Sequence, residues 1–289
     1  MNNGAAEKFS LVIHGGAFSV ERDYAVQELF LKDVLKNGHA MLSAGASALD
    51  VAAESVRMME DSGLYVAGKG SAPNQKGYYE LDASLMEGHT GRAGAVASLR
   101  RFQNPIHCAR AVMEKSSQVF FVGEGAENFL LSQNIKPLAD PAAYFKPVAK
   151  VSKEPVTGTV GAVALDQCGH LAAATSTGGL QGKPEGRVGD TPIIGAATWA
   201  DDHVALSTTG YGEYFIRAAA AHDAAARVRY GGQSLDMAVG AALARVKELG
   251  GWGGMIALDK TGTVKCGHAA MGMHHGWVGA DGKACVGNH

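Results

Sequence analysis

The stretch EPVTGTVGAVALD, residues 154–166, passes from a polar, proline-containing half to an apolar run that opens on Thr159. A threonine hydroxyl is a weak nucleophile unless a base sits beside it, and no Ser-His-Asp pattern is evident in this chain. An N-terminal threonine brings its own base, an α-amine with an ordinary pKa of about 8. That amine exists only once the Gly158–Thr159 peptide bond is broken. Glycine tolerates the strained backbone in which the threonine oxygen attacks the carbonyl before it. Gly-Thr alone carries little signal, because threonine is common in strands. Its place at the junction of a proline-rich connector and a buried strand gives it meaning. The expectation is self-cleavage between Gly158 and Thr159, with Thr159 then acting as nucleophile and base together. If the hairpin turn that follows has an odd number of residues centred on Cys168, Thr177 lies directly opposite Thr159; a two-residue turn brings Ser176 across instead.

The surrounding pattern predicts elements that could position such a site. Phe9–Ile13 reads as a strand stopped by His14-Gly15-Gly16-Ala17, and helical spacing runs from about Arg22 to Leu42 and from Ala48 to Met59, with Ser47 as N-cap. The segment from Leu64 to Gly88 reads as two short strands around a turn at Pro73–Gly77. Further strands are predicted at Ala93–Leu99 and, buried, at Val119–Val122, with helices from Pro105 to Lys115 and over Glu124–Ser132. Residues 134–158 hold four of the eight prolines and show no sustained periodicity, as a mobile, protease-accessible connector would. Beyond it, hairpins are expected over Thr159–Thr177, Ile193–Thr208 and Gly254–Gly267, and helices over Glu213–Val228 and Ser234–Leu249. This order supports a sheet-on-sheet core with helices outside.

Composition narrows the function classes. The chain has 289 residues, 46% hydrophobic and 19% charged, with a formal net charge of −2. That profile gives no electrostatic case for nucleic acid or an anionic membrane as partner. No signal peptide is apparent, and no apolar run approaches the roughly 18–20 residues of a membrane span. The four cysteines, Cys108, Cys168, Cys266 and Cys285, form no CxxC and fit a reducing cytoplasm. Thirty-nine glycines are roughly twice the average share of about 7%, which implies many tight turns and close backbone approaches. Gly63–Lys69 matches the first seven positions of a Walker A loop, but the next residue is Gly70 rather than the magnesium-binding hydroxyl. The histidines show no metal spacing such as HExxH.

Seven segments together resemble a known family: HGGA at 14–17, GEGAENF at 123–129, GTVGAVALD at 158–166, ATSTGG at 174–179, GRVGDTPIIGA at 186–196, TGYGE at 209–213 and GGWGGMIALD at 250–259. They look like the plant-type asparaginases, also called isoaspartyl aminopeptidases, which are N-terminal-nucleophile hydrolases. The resemblance runs from His14 to about Gly276. It implies an α+β fold of four layers, an αββα sandwich, cleaved into pieces 1–158 and 159–289 that pair as a dimer of cleaved protomers. It also implies roles. Thr177 hydrogen-bonds the nucleophile. Arg187 grips the substrate α-carboxylate, for which a planar fork suits better than lysine, and Asp190 partners the α-ammonium. An Arg-x-x-Asp pair taken alone would read as a surface ion pair. Thr209 and Gly210 match the oxyanion hole, and Gly210 and Gly212 the substrate-binding backbone. The substrates implied are small molecules, L-asparagine and β-aspartyl dipeptides. Catalysis would need no cofactor. The family's sodium-binding loop lies ahead of Val66, but its ligands are backbone carbonyls and no metal is assigned.

Two positions depart from the family. Val66 stands where an asparagine usually lies near the nucleophile, and Thr157 where relatives often carry histidine before the cut-site glycine. The first bears on rate or on the leaving-group side, the second on the speed of processing. Alternative readings are a relative specialised for particular β-aspartyl dipeptides such as β-Asp-Arg, with Val66 and Tyr78-Tyr79 as the place to look; a glycosylasparaginase-like amidase; and an unprocessed binding protein without catalysis.

Overall fold

A computed structural model describes residues 8–19, 24–148 and 158–288. The first half runs β1 (Ser10–Phe18), α1 (Ala25–Ser43), α2 (Ala48–Ser62), a 3-10 turn at Gly68–Gly70, β2 (Leu81–Glu87), β3 (Ala93–Leu99), α3 (Pro105–Lys115), β4 (Phe120–Val122), α4 (Gly123–Ser132) and α5 (Pro141–Tyr144). The second half runs β5 (Val160–Leu165), β6 (Leu171–Thr177), β7 (Thr198–Ala200), β8 (Val204–Gly210), α6 (Gly212–Ala218), α7 (Ala220–Arg229), α8 (Leu235–Glu248), β9 (Gly253–Asp259), β10 (Val264–His268), β11 (Gly272–Gly279) and β12 (Cys285–Gly287). Local chemistry sets several boundaries. The Ser47 hydroxyl caps α2 by accepting from Asp50 N at 3.1 Å, and Gly63 ends that helix in the left-handed region at φ 70°. Pro105 opens α3, where its missing N–H costs nothing.

The strands form two sheets. Eight lie in the order β12-β11-β1-β5-β6-β2-β3-β4, antiparallel except for the β3–β4 pair, and four lie in the order β10-β9-β8-β7. Alternation along each strand divides the apolar residues. Leu11, Ile13, Leu85 and Val96 pack under α1–α4 with Leu31, Leu35, Val56, Ile106 and Leu130. Their neighbours Val12, Val163, Leu171 and Ala173 turn the other way and meet Ala205, Ile256 and Leu258 of the smaller sheet. Leu206, Met255 and Ala257 face outward from that sheet onto Ala221 of α7 and Val239 and Leu243 of α8. The result is a mixed α/β structure in which helices pack on sheets and the two sheets pack on each other.

Several sequence expectations need correction. Strand β1 does not stop at His14; it crosses Gly15-Gly16 through a register shift and ends at Phe18, because β11 pairs along its whole length. β11 and β12 were not expected at all. Of the two strands predicted around Pro73–Gly77 only β2 forms, and the backbone ahead of it folds into the 3-10 turn at Gly68–Gly70. β4 is an edge strand with Phe120 and Val122 exposed, not buried. The strand expected from Ile193 is confined to Thr198–Ala200. The helix expected over Glu213–Val228 is broken at Ala219, which takes φ 45° and ψ 47° and separates α6 from α7. In the 134–158 connector, Asp140 caps the short helix α5 and Phe145 is buried against Tyr79 with ring centroids 4.5 Å apart. Arg22, where the first predicted helix starts, and residues 149–157 of the connector, Thr157 among them, lie outside the described residues.

Candidate active site

Thr159 stands immediately before β5 and Thr177 is the last residue of β6. The hairpin register pairs Leu165 with Leu171 and Val160 with Ser176, so the turn 166–170 is odd and centred on Cys168. The condition for bringing Thr177 opposite Thr159 is therefore met. The Thr159 hydroxyl donates to Thr177 Oγ1 at 3.2 Å, and Gly179 N donates to the same oxygen at 3.0 Å. Asp166 fixes the turn, its Oδ1 accepting from Cys168 N at 2.9 Å and His170 N at 3.0 Å. Both threonines are buried.

Gly158 is pressed between two segments. A Cβ added at Gly16, where φ is +109°, would lie 2.8 Å from Gly158 Cα, so only glycine fits that crossing. A Cβ added at Gly158 would lie 2.9 Å from Val66 N and 3.0 Å from Val66 Cγ2. The residue after Gly16 reaches the third threonine, Ala17 N donating to Thr209 Oγ1 at 3.2 Å. Thr209 and Gly210 close β8, and Gly210 at φ +143° leaves no room for a side chain against Trp252 and Gly253. The bulge in β1 thus links the glycine at the expected cut to the residues expected to form an oxyanion hole.

The charged part of the site is carried by the loop 178–192. Its anchor is Glu80, whose carboxylate accepts from Asn74 Nδ2 at 2.9 Å and Gly186 N at 3.1 Å while its carbonyl accepts from the buried Lys183 Nζ at 2.8 Å. Arg187 donates through Nε and Nη2 to the two oxygens of Glu213 at 2.8 and 2.6 Å. This pairing uses one edge of the guanidinium and leaves the Nη1–Nη2 edge for another carboxylate. Glu213 is held below the usual carboxylate range, its partial burial being outweighed by Arg187. Asp190 accepts from the Thr208 hydroxyl at 2.8 Å. Burial pushes its carboxyl up to about 6 against the pull of Thr208 and Arg187. Gly212 packs directly on it, since an added Cβ would lie 2.6 Å from Asp190 Oδ1.

Two groups emerge: Thr159, Thr177, Gly158 and, through Ala17, Thr209 and Gly210; and Arg187, Asp190 and Gly212. No hydrogen bond joins the first to the second among the described residues. Residues missed by the sequence reading are Glu213, present in the TGYGE segment but given no role, Lys183, Glu80 and His14. The sequence signal for Glu213 was its place one residue after Gly212; for His14 it was the glycine pair that follows. Among the described residues no three His, Cys, Asp or Glu side chains cluster as metal ligands, and no helix is long and apolar enough to cross a membrane.

A buried pair of threonine hydroxyls, with a carboxylate tied to Thr208 one residue before Thr209, on sheets packed by helices, fits a hydrolase. The chain belongs to the asparaginase family, whose sequence model matches residues 7–146 and 139–287. It is 42% identical over 297 residues to the isoaspartyl peptidase of Salmonella typhimurium, an alignment covering 93% of this chain and 95% of that protein. The isoaspartyl peptidase of Escherichia coli is likewise 42% identical over 297 residues, with 93% and 92% covered. The probable isoaspartyl peptidase/L-asparaginase 2 of Arabidopsis thaliana is 34% identical over 319 residues, with 95% and 97% covered.

Proposed function

We propose that this protein hydrolyses β-aspartyl (isoaspartyl) dipeptides and L-asparagine, after cutting itself between Gly158 and Thr159 within a four-layer αββα sandwich. The observation that carries the reading is the buried Thr159 hydroxyl, 3.2 Å from Thr177, directly after a glycine that two backbone segments hold in place. In the intact chain Thr159 N is an amide and no base. Attack of its hydroxyl on the Gly158 carbonyl forms an ester as the Gly158–Thr159 C–N bond breaks, which frees the α-amine, and water then hydrolyses that ester to part the two pieces and restore the hydroxyl.

The freed amine then takes the hydroxyl proton as Thr159 Oγ1 attacks the side-chain carbonyl of the substrate. Arg187 holds the substrate α-carboxylate on its Nη1–Nη2 edge, and Asp190 holds the α-ammonium. Negative charge on the attacked carbonyl oxygen is met by the Thr209 hydroxyl and Gly210 N–H, a pairing of the kind worth about 100- to 1,000-fold in rate per donor. The amine returns its proton to the leaving nitrogen, releasing ammonia or an amino acid. Water, deprotonated by the same amine, hydrolyses the β-aspartyl ester and restores Thr159. A head group read by opposite charges excludes analogues lacking either one, because a buried site charge would be left unpaired.

Residues 1–158 and 159–289 would be the two pieces, paired again as a dimer of cleaved protomers. The sodium implied by the family would rest on backbone carbonyls: those of Gly63 and Tyr65 both crowd Gly70, where an added Cβ would collide with Tyr65 O. No step of the reaction runs through it. Mass spectrometry of the purified protein tests the reading. Two pieces, the second beginning Thr-Val-Gly-Ala, are expected with β-aspartyl dipeptidase and asparaginase activity, and Thr159→Ala should stay whole and inactive. An active protein that remains one chain of 289 residues would overturn it.

A further inference from the structure

Arg187 closes a tight turn. Its backbone N–H donates to Pro184 O at 3.1 Å, and Gly186 at φ +77° supplies the left-handed residue that such a turn takes at its third position. Neighbouring backbone is tied down on both sides of Pro184. Gly186 N donates to the Glu80 carboxylate at 3.1 Å, Gly182 N donates to Pro73 O at 2.9 Å, and Lys183 O accepts from Gln75 N at 2.9 Å. Glu185, the second residue of the turn, carries an exposed side chain, yet that side chain is not loose.

Three side chains from residues 76–100 converge on its carboxylate. The Tyr78 hydroxyl donates to Glu185 Oε1, and Lys76 Nζ lies 3.8 Å from Glu185 Oε2. Arg100 Nη2 donates to the Tyr78 hydroxyl oxygen at 3.0 Å and lies 3.4 Å from Glu185 Oε1 and 3.6 Å from Glu80 Oε1. Its guanidinium carbon sits 4.1 Å from the Tyr78 ring centroid. The phenol thus accepts from the cation and gives its one proton to the carboxylate. Tyr78, with Lys76 and Arg100, holds the Glu185 carboxyl below the usual carboxylate range. Arg100 is itself anchored, because the backbone N–H groups of Arg100 and Arg101 donate to the buried Glu127 at 2.8 and 3.1 Å. A single exposed ion pair is worth little, but a network built on one fixed arginine is the arrangement that counts. Arg100 bridges Glu185 in the turn and Glu80, the acceptor for the next residue, Gly186.

We propose that Glu185 and Arg100 are positioning residues for Arg187, forming a clasp that fixes the turn 184–187 and with it the angle at which the guanidinium meets a substrate α-carboxylate. The clasp rests on the reading of Arg187 as the carboxylate grip. Glu213 orients the guanidinium from its far end; the clasp orients the backbone from which the side chain springs. Tyr78, where the sequence pointed for substrate preference, serves the loop in this arrangement. Tyr78 and Arg100 precede Gly158 and Glu185 follows it, so in a cut protein the clasp joins the two pieces.

Steady-state kinetics on asparagine with two inhibitors test it. L-Aspartate carries the α-carboxylate that Arg187 would hold, and β-alanine is the same molecule without it. In Glu185→Gln, KM for asparagine and Ki for L-aspartate should rise about 3- to 10-fold, while kcat and Ki for β-alanine stay within about twofold. Arg100→Met should behave alike, and the double variant should be no worse than the worse single one, since both act through one clasp. An unchanged KM in Glu185→Gln would overturn the proposal. So would an equal loss for L-aspartate and β-alanine, the mark of a site loosened in general. Additive losses in the double variant would show two residues acting separately and overturn the clasp. Should Arg100→Met fail to fold, Glu185→Gln, an exposed and nearly isosteric change, still decides. A wild type that releases no ammonia from asparagine would sink the proposed function and this inference with it, whereas an active wild type with indifferent variants sinks the clasp alone.

Discussion

Replacing Asp190 with asparagine should make the protein more stable at pH 8 and worse at holding substrate. Asp190 is 4% exposed, and burial raises its carboxyl from 3.8 to about 6 even with Thr208 and Arg187 pulling the other way. A carboxyl whose folded pKa exceeds its unfolded one binds its proton more tightly when folded. Stability therefore falls as pH rises from about 4 to about 6, and the full penalty stands above that window. A rise of roughly 2 units, at about 1.36 kcal/mol each, is about 3 kcal/mol. Asparagine keeps an acceptor for Thr208, now 2.8 Å away, and has no charge to desolvate. Arg187 retains Glu213 as its partner. The gain should be up to about 3 kcal/mol at pH 8, which is about 6–12 °C in melting temperature for a domain of this general size, and close to nothing at pH 4. Melts of Thr159→Ala with and without Asp190→Asn, both uncut, read this difference directly. In the active enzyme, KM for asparagine should rise as pH falls through about 6, and Asp190→Asn should show a high KM without that dependence. A variant no more stable than its parent at pH 8, or equally shifted at pH 4 and 8, would refute the claim that burial of this carboxylate sets its pKa.

Arg187→Lys removes the fork that serves Glu213 at 2.8 and 2.6 Å together with the edge left for substrate; KM should rise about 10- to 100-fold, with a smaller change in kcat, as steady-state kinetics on asparagine would show. Gly158→Ala places a methyl 2.9 Å from Val66 N, a backbone atom that cannot swing aside, so self-cleavage should slow markedly in a gel time course.

The parts of the site that depend on strand periodicity were legible from sequence. Once the turn around Cys168 is odd, counting alone sets Thr177 opposite Thr159. The same counting could not find β11, because Gly272–Gly279 reads GMHHGWVG, with glycines and paired histidines in place of apolar alternation. Its strand character comes from β1 beside it. Nor does local propensity reveal the break at Ala219 in an alanine-rich stretch that favours continuous helix; the left-handed residue there lets α7 lie on the small sheet beside α8. Glu213 was in plain view, but its pairing with Arg187 joins residues 26 positions apart across a loop whose path is set by distant partners, Glu80 and the backbone of Pro73 and Gln75 among them.

The large sheet interleaves the two sides of Gly158. β1 lies between β11 and β5, and β2 is zipped to β6, so strands from before and after that glycine meet at three places in the sheet. A backbone severed there would not fall apart, because the β1–β11, β1–β5 and β2–β6 ladders join the pieces. Heat would expose the difference. The whole chain can retrace its path on cooling, whereas the nicked one must find its missing strands by diffusion, having surrendered the high local concentration that a tether supplies. Maturation at this peptide bond would therefore act as a ratchet, giving an enzyme assembled once and not reassembled after melting.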